Sequence, residues 1–225
     1  MKIGVYGGTF NPIHYGHLRT AEEVFEKLSL DKVLFIPAGR TPLAKPELVK
    51  AGHRYSMVKL AAADNPHFEI SDVEIKTGGK SFTVDTIRKL GRLYAGSELF
   101  FILGLDAFLD LPNWKQPDEL LNLTNVVVIS RPRWSFTGLL SSPYLKSVSG
   151  RALKELDNKK RDLVPFDISE KKKGFLCRVT GLDISASNIR NLIMSGESVR
   201  YLLPDSVENY IISHKLYKKE VRSRK

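Results

Sequence analysis

His14 and His17, three residues apart and downstream of the pair Gly7-Gly8, are the side chains whose types and spacing first point to chemistry. On a first helical turn that spacing puts both imidazoles on one face, where each can donate to a phosphoryl oxygen. Gly7 and Gly8 carry no Cβ, so the chain can turn sharply and let an anion approach its N–H groups. An apolar run at residues 3–6 precedes them, and Leu18, Ala21, Val24, Phe25 and Leu28 follow at helical spacing. The stretch GGTFNPIHYGHL therefore reads as a strand-to-helix turn, with the helix aiming its unpaired N–H groups and positive dipole end at the same place. Two plainer readings remain: an ordinary tight turn with unremarked histidines, or a metal-binding pair. The second is weakened because no third ligand stands at a suitable spacing.

A second strand-to-helix turn, DISASNIRNLI, offers Ser185 and Ser187 as hydroxyl and capping groups, and Arg190 three residues beyond Ser187 on the same face. A third, SFTVDT, has Ser81 and Thr83 as caps of a helix whose buried stripe is Val84, Ile87, Leu90 and Leu93. Between them, Gly104 and Asp106 follow an apolar run at residues 98–103. A carboxylate there can accept from ribose hydroxyls, or it can cap the short helix that follows; both readings stand. Trp114, on the loop after Pro112, can stack on a flat heteroaromatic ring or close the edge of the core. Lys45 sits in the Pro-rich loop of residues 38–47 at the carboxyl end of a strand, where ligand-binding groups gather in open parallel sheets.

The elements that must position these groups alternate between strand and helix. Strands are expected at residues 3–6, 32–37, 68–75, 98–103, 125–130 and 175–179, and helices from about residue 16, at 53–63, from 81, at 151–159, from 185 and after Pro204. That pattern is an α/β fold with a parallel sheet. At 225 residues and 42% hydrophobic content, one domain spans 1–225: a dinucleotide-binding-like core over 1–180, with an uninformative basic insert near 134–173, and a small helical part over 181–225. No apolar run approaches the roughly 20 residues that span a bilayer, and no signal-peptide pattern precedes the first strand, so a soluble cytoplasmic protein is expected. Cys177 lies in an alternating apolar segment and reads as a buried, inert thiol. The net charge of +10 is concentrated in residues 131–173 and 215–225. Without interleaved aromatics or a helix-turn-helix pattern, it favours a solvated face or attraction of small polyanions over nucleic-acid binding.

The combination GGTF-x-P-x-H-x-GH at the start of the chain resembles the nucleotidylyltransferase superfamily. With SFTVDT, the run GLDAFLDLPNW and ISASNIR in that order, the chain resembles nicotinate-nucleotide adenylyltransferases over nearly all its length except residues 134–173. The resemblance implies a Rossmann-like open parallel sheet with helices on both faces. It also implies transfer of the adenylyl group of ATP to nicotinate mononucleotide, giving deamido-NAD and pyrophosphate in NAD synthesis. On that reading His14, His17, Lys45 and Arg190 are the catalytic groups, Arg190 neutralising the ATP phosphates, and Gly7, Gly8, Thr9, Phe10, Gly104, Asp106, Ile184, Ser185 and Ser187 hold ATP. Phe82 and Thr83 receive the nicotinate chiefly through backbone donors, and Trp114 lies against its ring. The family's usual PPHK loop here reads Pro42, Leu43, Ala44, Lys45, so the lysine is kept and the histidine is not. Asn11 replaces an aspartate of many relatives, and Ala186 takes a usually hydroxylic position.

A phosphate monoester has a second pKa of about 6, so its oxygen attacks without a general base, which suits a site of glycines, histidines, a lysine and an arginine. Mg²⁺ is expected with ATP, through its phosphates, and no metal site of the chain's own. The partners are small molecules, with a homo-oligomer left open. Pantetheine-phosphate adenylyltransferase shares the HxGH turn and is the nearest rival. SFTVDT, LPNW and the chain length stand against it. A non-catalytic nucleotide- or RNA-binding relative, or a fragment related to class I aminoacyl-tRNA synthetases, is the rival of a different class. The synthetase reading lacks a KMSKS-like loop.

Overall fold

The computed structural model describes residues 1–40 and 48–218. Its strands are β1 (Lys2–Gly8), β2 (Lys32–Pro37), β3 (Phe68–Ile70), β4 (Glu98–Gly104), β5 (Asn125–Ile129), β6 (Leu163–Asp167) and β7 (Lys173–Cys177). The helices are α1 (Tyr15–Leu28), α2 (Ala51–Ala62), α3 (Thr83–Leu93), α4 (Leu105–Asp110), α5 (Pro117–Leu123), α6 (Gly150–Asp157), α7 (Ala186–Ser195) and α8 (Asp205–Ser213). They build one sheet in the order β3-β2-β1-β4-β5-β7-β6, parallel except for β6 against β7. The expected α/β architecture is what forms.

Alternation along the strands divides the core between the two faces of the sheet. Leu34 and Ile36 of β2 join Val84, Ile87 and Leu90 of α3 and the buried residues of α4, α5 and α6 on one face. Val33 and Phe35 join Val24 of α1, Met57 of α2, Ile189 of α7 and Val207 of α8 on the other. Strand order reverses at β1, which has β2 on one side and β4 on the other. In an open parallel sheet, that reversal leaves a crevice outside the carboxyl ends of those strands.

Several local expectations change. The strand expected at 68–75 stops at Ile70. Beyond the Ser71 N–H, which still donates to the Phe35 carbonyl, the chain coils through the Lys76 to Asp72 and Thr77 to Glu74 backbone bonds. That coil turns the Glu74 carboxylate inward, to the Thr86 hydroxyl at 2.8 Å and the Gly39 N–H at 3.4 Å. α3 starts from Phe82 with no side-chain cap: Thr83 is already helical, and the Ser81 hydroxyl is buried without a partner among the described residues. Leu93 is exposed, because the stripe continues from Leu90 to Tyr94, four residues on, which packs against the core.

The last strand runs from Lys173 to Cys177 rather than 175–179. It pairs with a strand inside the supposedly uninformative insert. Pro165 hides β6 in the sequence, yet proline is tolerated on an edge strand, and Leu163 to Asp167 alternates between inward and outward side chains once placed there. The Phe166 ring lies over Gly174 of β7, where a Cβ would run into it. The expected helix at 151–159 ends earlier, at Asp157. Cys177 is fully buried, as expected, and burial pushes its thiol up to about 12.

Candidate active site

Two cavities open at the crevice, one over each face of the sheet. The first, about 300 Å³, is lined by Tyr6, His14 and His17 from the α1 side, by Asp106, and by residues 129–134 and 179–185 after β5 and β7. The second, about 310 Å³, is lined by Gly7, Gly8, Thr9 and Ala38, by Thr83 of α3, and by Trp114. β1 contributes to both, through Tyr6 to the first and through Gly7 and Gly8 to the second. Each volume is at the lower end of what small-molecule sites use.

His14 is the N-cap of α1, and His17 is its third residue. The His14 N–H donates to His17 Nδ1 at 3.3 Å, and the rings stack with centroids 3.8 Å apart. With Nδ1 accepting, the hydrogen-bond network assigns the His17 proton to Nε2. Burial, and then the Arg131 charge, lower His14 to about 4. Burial, His14 and Arg131, in that order, hold His17 well below the ordinary imidazole value. Both rings are therefore neutral at pH 7 and act as N–H donors rather than as cations. His14 Nδ1 is buried with no hydrogen-bond partner among the described residues.

The remaining expected residues divide. Asp106, Ile184 and Ser185 line the histidine cavity. Asp106 is not a cap: Gly104 is the N-cap of α4, and the Asp106 carboxylate instead lies 3.6 Å from Arg131 Nε. A Cβ at Gly104 would meet the Asp106 carboxylate and the Arg131 guanidinium and displace that ion pair. Ser185 caps α7 and accepts from the Asn188 N–H at 3.1 Å; Ser187 is already helical and accepts from Arg190 Nη2 at 3.2 Å. Arg190 also donates to the Asn11 carbonyl at 2.9 Å, tying α7 to the N-terminal turn. Thr9, Gly7 and Gly8 face the second cavity rather than the histidines. Phe10 lines neither: it is buried, with a left-handed backbone (φ 46°), and packs edge-on against His17 and Tyr6. Its ring backs the His17 imidazole from the core side.

Thr83 and Trp114 meet in the second cavity, where the Trp114 Nε1–H donates to Asp110 at 3.1 Å. The Phe82 side chain faces elsewhere, beneath the Lys115 ammonium, so only its backbone is available to a ligand at the start of α3. Lys45 and Ala44 lie outside the described residues.

Three arginines belong to the site without having been singled out by spacing. Arg54 of α2 is buried and donates to the carbonyls of Thr9, Ala38, Gly39 and Val49, holding the carboxyl ends of β1 and β2 and the start of the following loop. Arg131 and Arg133 line the histidine cavity. Their signal was available in Ser130-Arg131-Pro132-Arg133, which follows a buried strand directly. Glu23, although buried, accepts from the Thr180 N–H, Lys27 and Arg19, which hold its carboxyl low against the opposing effect of burial and pin the segment after β7 to α1.

Among the described residues no group of three or more His, Cys, Asp or Glu side chains converges to hold a metal ion, and no helix is long and apolar enough to cross a membrane. A family model described as cytidylyltransferase-like matches residues 5–192. A probable nicotinate-nucleotide adenylyltransferase of Geotalea daltonii is 42% identical, with 96% of this chain and 98% of the relative covered. One of Thermoanaerobacter sp. is 40% identical, covering 98% and 96%. Among solved structures, the Plasmodium falciparum nicotinic acid mononucleotide adenylyltransferase is 18% identical. Complexed with NaAD it superposes with a TM-score of 0.70, covering 96% and 97% of the two chains. Complexed with APC its TM-score is 0.69, with 96% of each chain covered.

Proposed function

This chain belongs to the nicotinate-nucleotide adenylyltransferase family, and from that premise we propose that it transfers the adenylyl group of ATP to nicotinate mononucleotide, forming deamido-NAD and pyrophosphate. The observation that carries this reading is the pair of cavities lined by successive residues of β1, Tyr6 in one and Gly7-Gly8 in the other, the first bearing two neutral histidines and arginines, the second an indole beside a helix N-terminus. A dinucleotide is assembled from two nucleotides whose phosphates meet, and the end of β1 is common to both cavities. Residues 1–225 act as one catalytic unit in this scheme.

ATP occupies the histidine cavity. Its ribose hydroxyls face Asp106, and its phosphates face the N–H donors of His14 and His17 and the N-termini of α1 and α7. Arg190, in the second turn of α7 and anchored by the Asn11 carbonyl and Ser187, offsets phosphate charge. Nicotinate mononucleotide occupies the second cavity. Its ring lies against Trp114, and its carboxylate takes the first N–H groups of α3, which have no partner within the helix. Lys45 is assigned to the same anionic substrates.

The 5′-phosphate oxygen of the mononucleotide, already deprotonated near neutral pH, attacks the α-phosphorus in line. The bond from that phosphorus to the α,β-bridging oxygen breaks, and pyrophosphate leaves with the electron pair. No covalent enzyme intermediate and no general base are needed. The chain supplies orientation and fixed donors aimed at the charge that develops on the leaving group. Mg²⁺ enters as part of the ATP substrate, held by its phosphates.

The test is pyrophosphate release from ATP and Mg²⁺ with nicotinate mononucleotide, nicotinamide mononucleotide and phosphopantetheine offered separately. Release with the nicotinate compound, and far less with the other two, is expected. Release with phosphopantetheine alone would keep the chemistry and overturn the acceptor. No release with any of them would overturn the reaction.

A further inference from the structure

Arg133 is a non-glycine residue in the left-handed region, with φ 69°, in the turn that follows β5. The Trp134 N–H donates to the Arg131 carbonyl at 3.2 Å, closing a four-residue turn with Pro132 and Arg133 at its centre. Proline fixes φ near −65° at the first central position, so a positive φ at the second makes this a type II turn, whose second central residue is normally glycine. An arginine here is strained relative to glycine.

Of the other described residues with positive φ, Ser29, Gln116 and Lys159 sit at or just beyond helix ends, where the left-handed conformation ends or starts a helix, and Phe10 is buried in the N-terminal turn. None of them lines the histidine cavity; Arg133 does. Within the protein, Arg133 gains one ion pair, Nη2 to Asp183 Oδ2 at 3.3 Å, with side chains 84% and 69% exposed. Such an exposed pair stabilises little and does not offset the strain. The pair spans the cavity mouth from the segment after β5 to the segment after β7. Deeper in the same cavity Arg131 is paired with Asp106.

We propose that Arg133 is an ATP-binding residue of this chain, held in a strained turn so that its guanidinium exchanges Asp183 for the triphosphate when the nucleotide enters. The inference rests on the assignment of the histidine cavity to ATP. The guanidinium, always charged and presenting five N–H donors in a fork, suits phosphate oxygens better than a single exposed carboxylate. Asp183 covers that fork in the free protein and competes with the triphosphate for it.

Arg133→Gly separates this reading from a structural role, because relief of strain and loss of affinity act in opposite senses. The variant should melt at or above the wild-type temperature, yet bind a non-hydrolysable ATP analogue about tenfold more weakly by isothermal titration, the size of one charge-assisted contact. The Michaelis constant for ATP should rise in step, with that for the acceptor unchanged. Arg133→Lys, keeping the charge in the same turn, should recover most of the affinity. Asp183→Asn, which uncovers the guanidinium, should tighten analogue binding two- to threefold, roughly what an exposed ion pair contributes. Unchanged analogue affinity in Arg133→Gly, with wild type binding and turning over normally, overturns the role of Arg133 alone. Equal weakening in Asp183→Asn overturns it too, by making the ion pair itself the functional unit. Wild-type protein that neither binds the analogue nor releases pyrophosphate overturns the assignment of the cavity, and this inference with it.

Discussion

Replacing Arg54 by methionine should loosen the crevice more than any other single change outside the cavities. Methionine keeps most of the apolar stem, so the perturbation is loss of the guanidinium rather than creation of a void. Four backbone carbonyls lose their donor: Val49 at 3.2 Å, Thr9 at 2.8 Å, Ala38 at 2.5 Å and Gly39 at 2.9 Å. A hydrogen bond to a charged donor contributes about 1.5–3 kcal/mol when buried. These carbonyls belong to half-buried residues that water can reach, so about 1 kcal/mol each is the better figure. Against that total, the unfolded chain no longer gives up guanidinium hydration on folding, a gain of about 1 kcal/mol.

The net loss is about 3 kcal/mol, which for a chain of this size lowers the melting temperature by about 6–12 °C. Thermal unfolding followed by far-ultraviolet circular dichroism measures it directly. Thr9 and Ala38 line the second cavity, so the Michaelis constant for nicotinate mononucleotide should rise alongside. Arg54→Lys, with one ammonium for four scattered acceptors, should fall between wild type and methionine. A drop below about 2 °C for Arg54→Met would refute the reasoning, since it would mean that water or relaxation satisfies all four carbonyls.

His17→Ala should lower kcat by about a hundredfold or more while leaving the circular dichroism spectrum unchanged, and wild-type turnover would remove His17 from catalysis. Trp114→Ala should raise the Michaelis constant for nicotinate mononucleotide about fivefold with little change in that for ATP; an unchanged constant would take the indole out of the substrate site. His14 stays neutral in the folded protein down to about pH 4, whereas in the unfolded chain it takes up a proton near its ordinary value of 6.5. Unfolding therefore takes up protons between those limits, and stability from this group is present above about pH 6.5 and lost as pH falls toward 4. The group contributes about 3 kcal/mol across that window. Urea unfolding of wild type and His14→Gln at pH 7.5 and 4.5 should show a smaller acid loss in the variant, and equal losses would contradict the burial of a neutral ring.

Local patterns in the chain were enough for the parts of the site built from consecutive residues. Gly7-Gly8 before His14 and His17, and Ser185 before Arg190, announce strand-to-helix turns because glycine freedom, capping hydroxyls and helical spacing all act within a few residues. The same locality misled at the edges. Ser81 and Thr83 have the right types to cap α3 but not the backbone position, and Pro165 concealed β6 because proline is incompatible with a central strand yet acceptable at an edge.

Composition and periodicity already determined an α/β chain with strand-to-helix turns, since backbone preference and hydrophobic alternation are short-range properties. Only the tertiary structure decided which turns face which cavity. Sheet order puts β1 beside β4 and brings the ends of β5 and β7 to the histidines. That juxtaposition packs the buried Phe10 ring edge-on against His17. It also drew in Arg54, Arg131 and Arg133, whose partners lie outside any local repeat. Burial and the charge of an arginine more than a hundred residues away, with His14 between them in weight for His17, lower the pKa of both imidazoles. Electrostatic environment depends on distance in space rather than along the chain, so no spacing rule could have carried it.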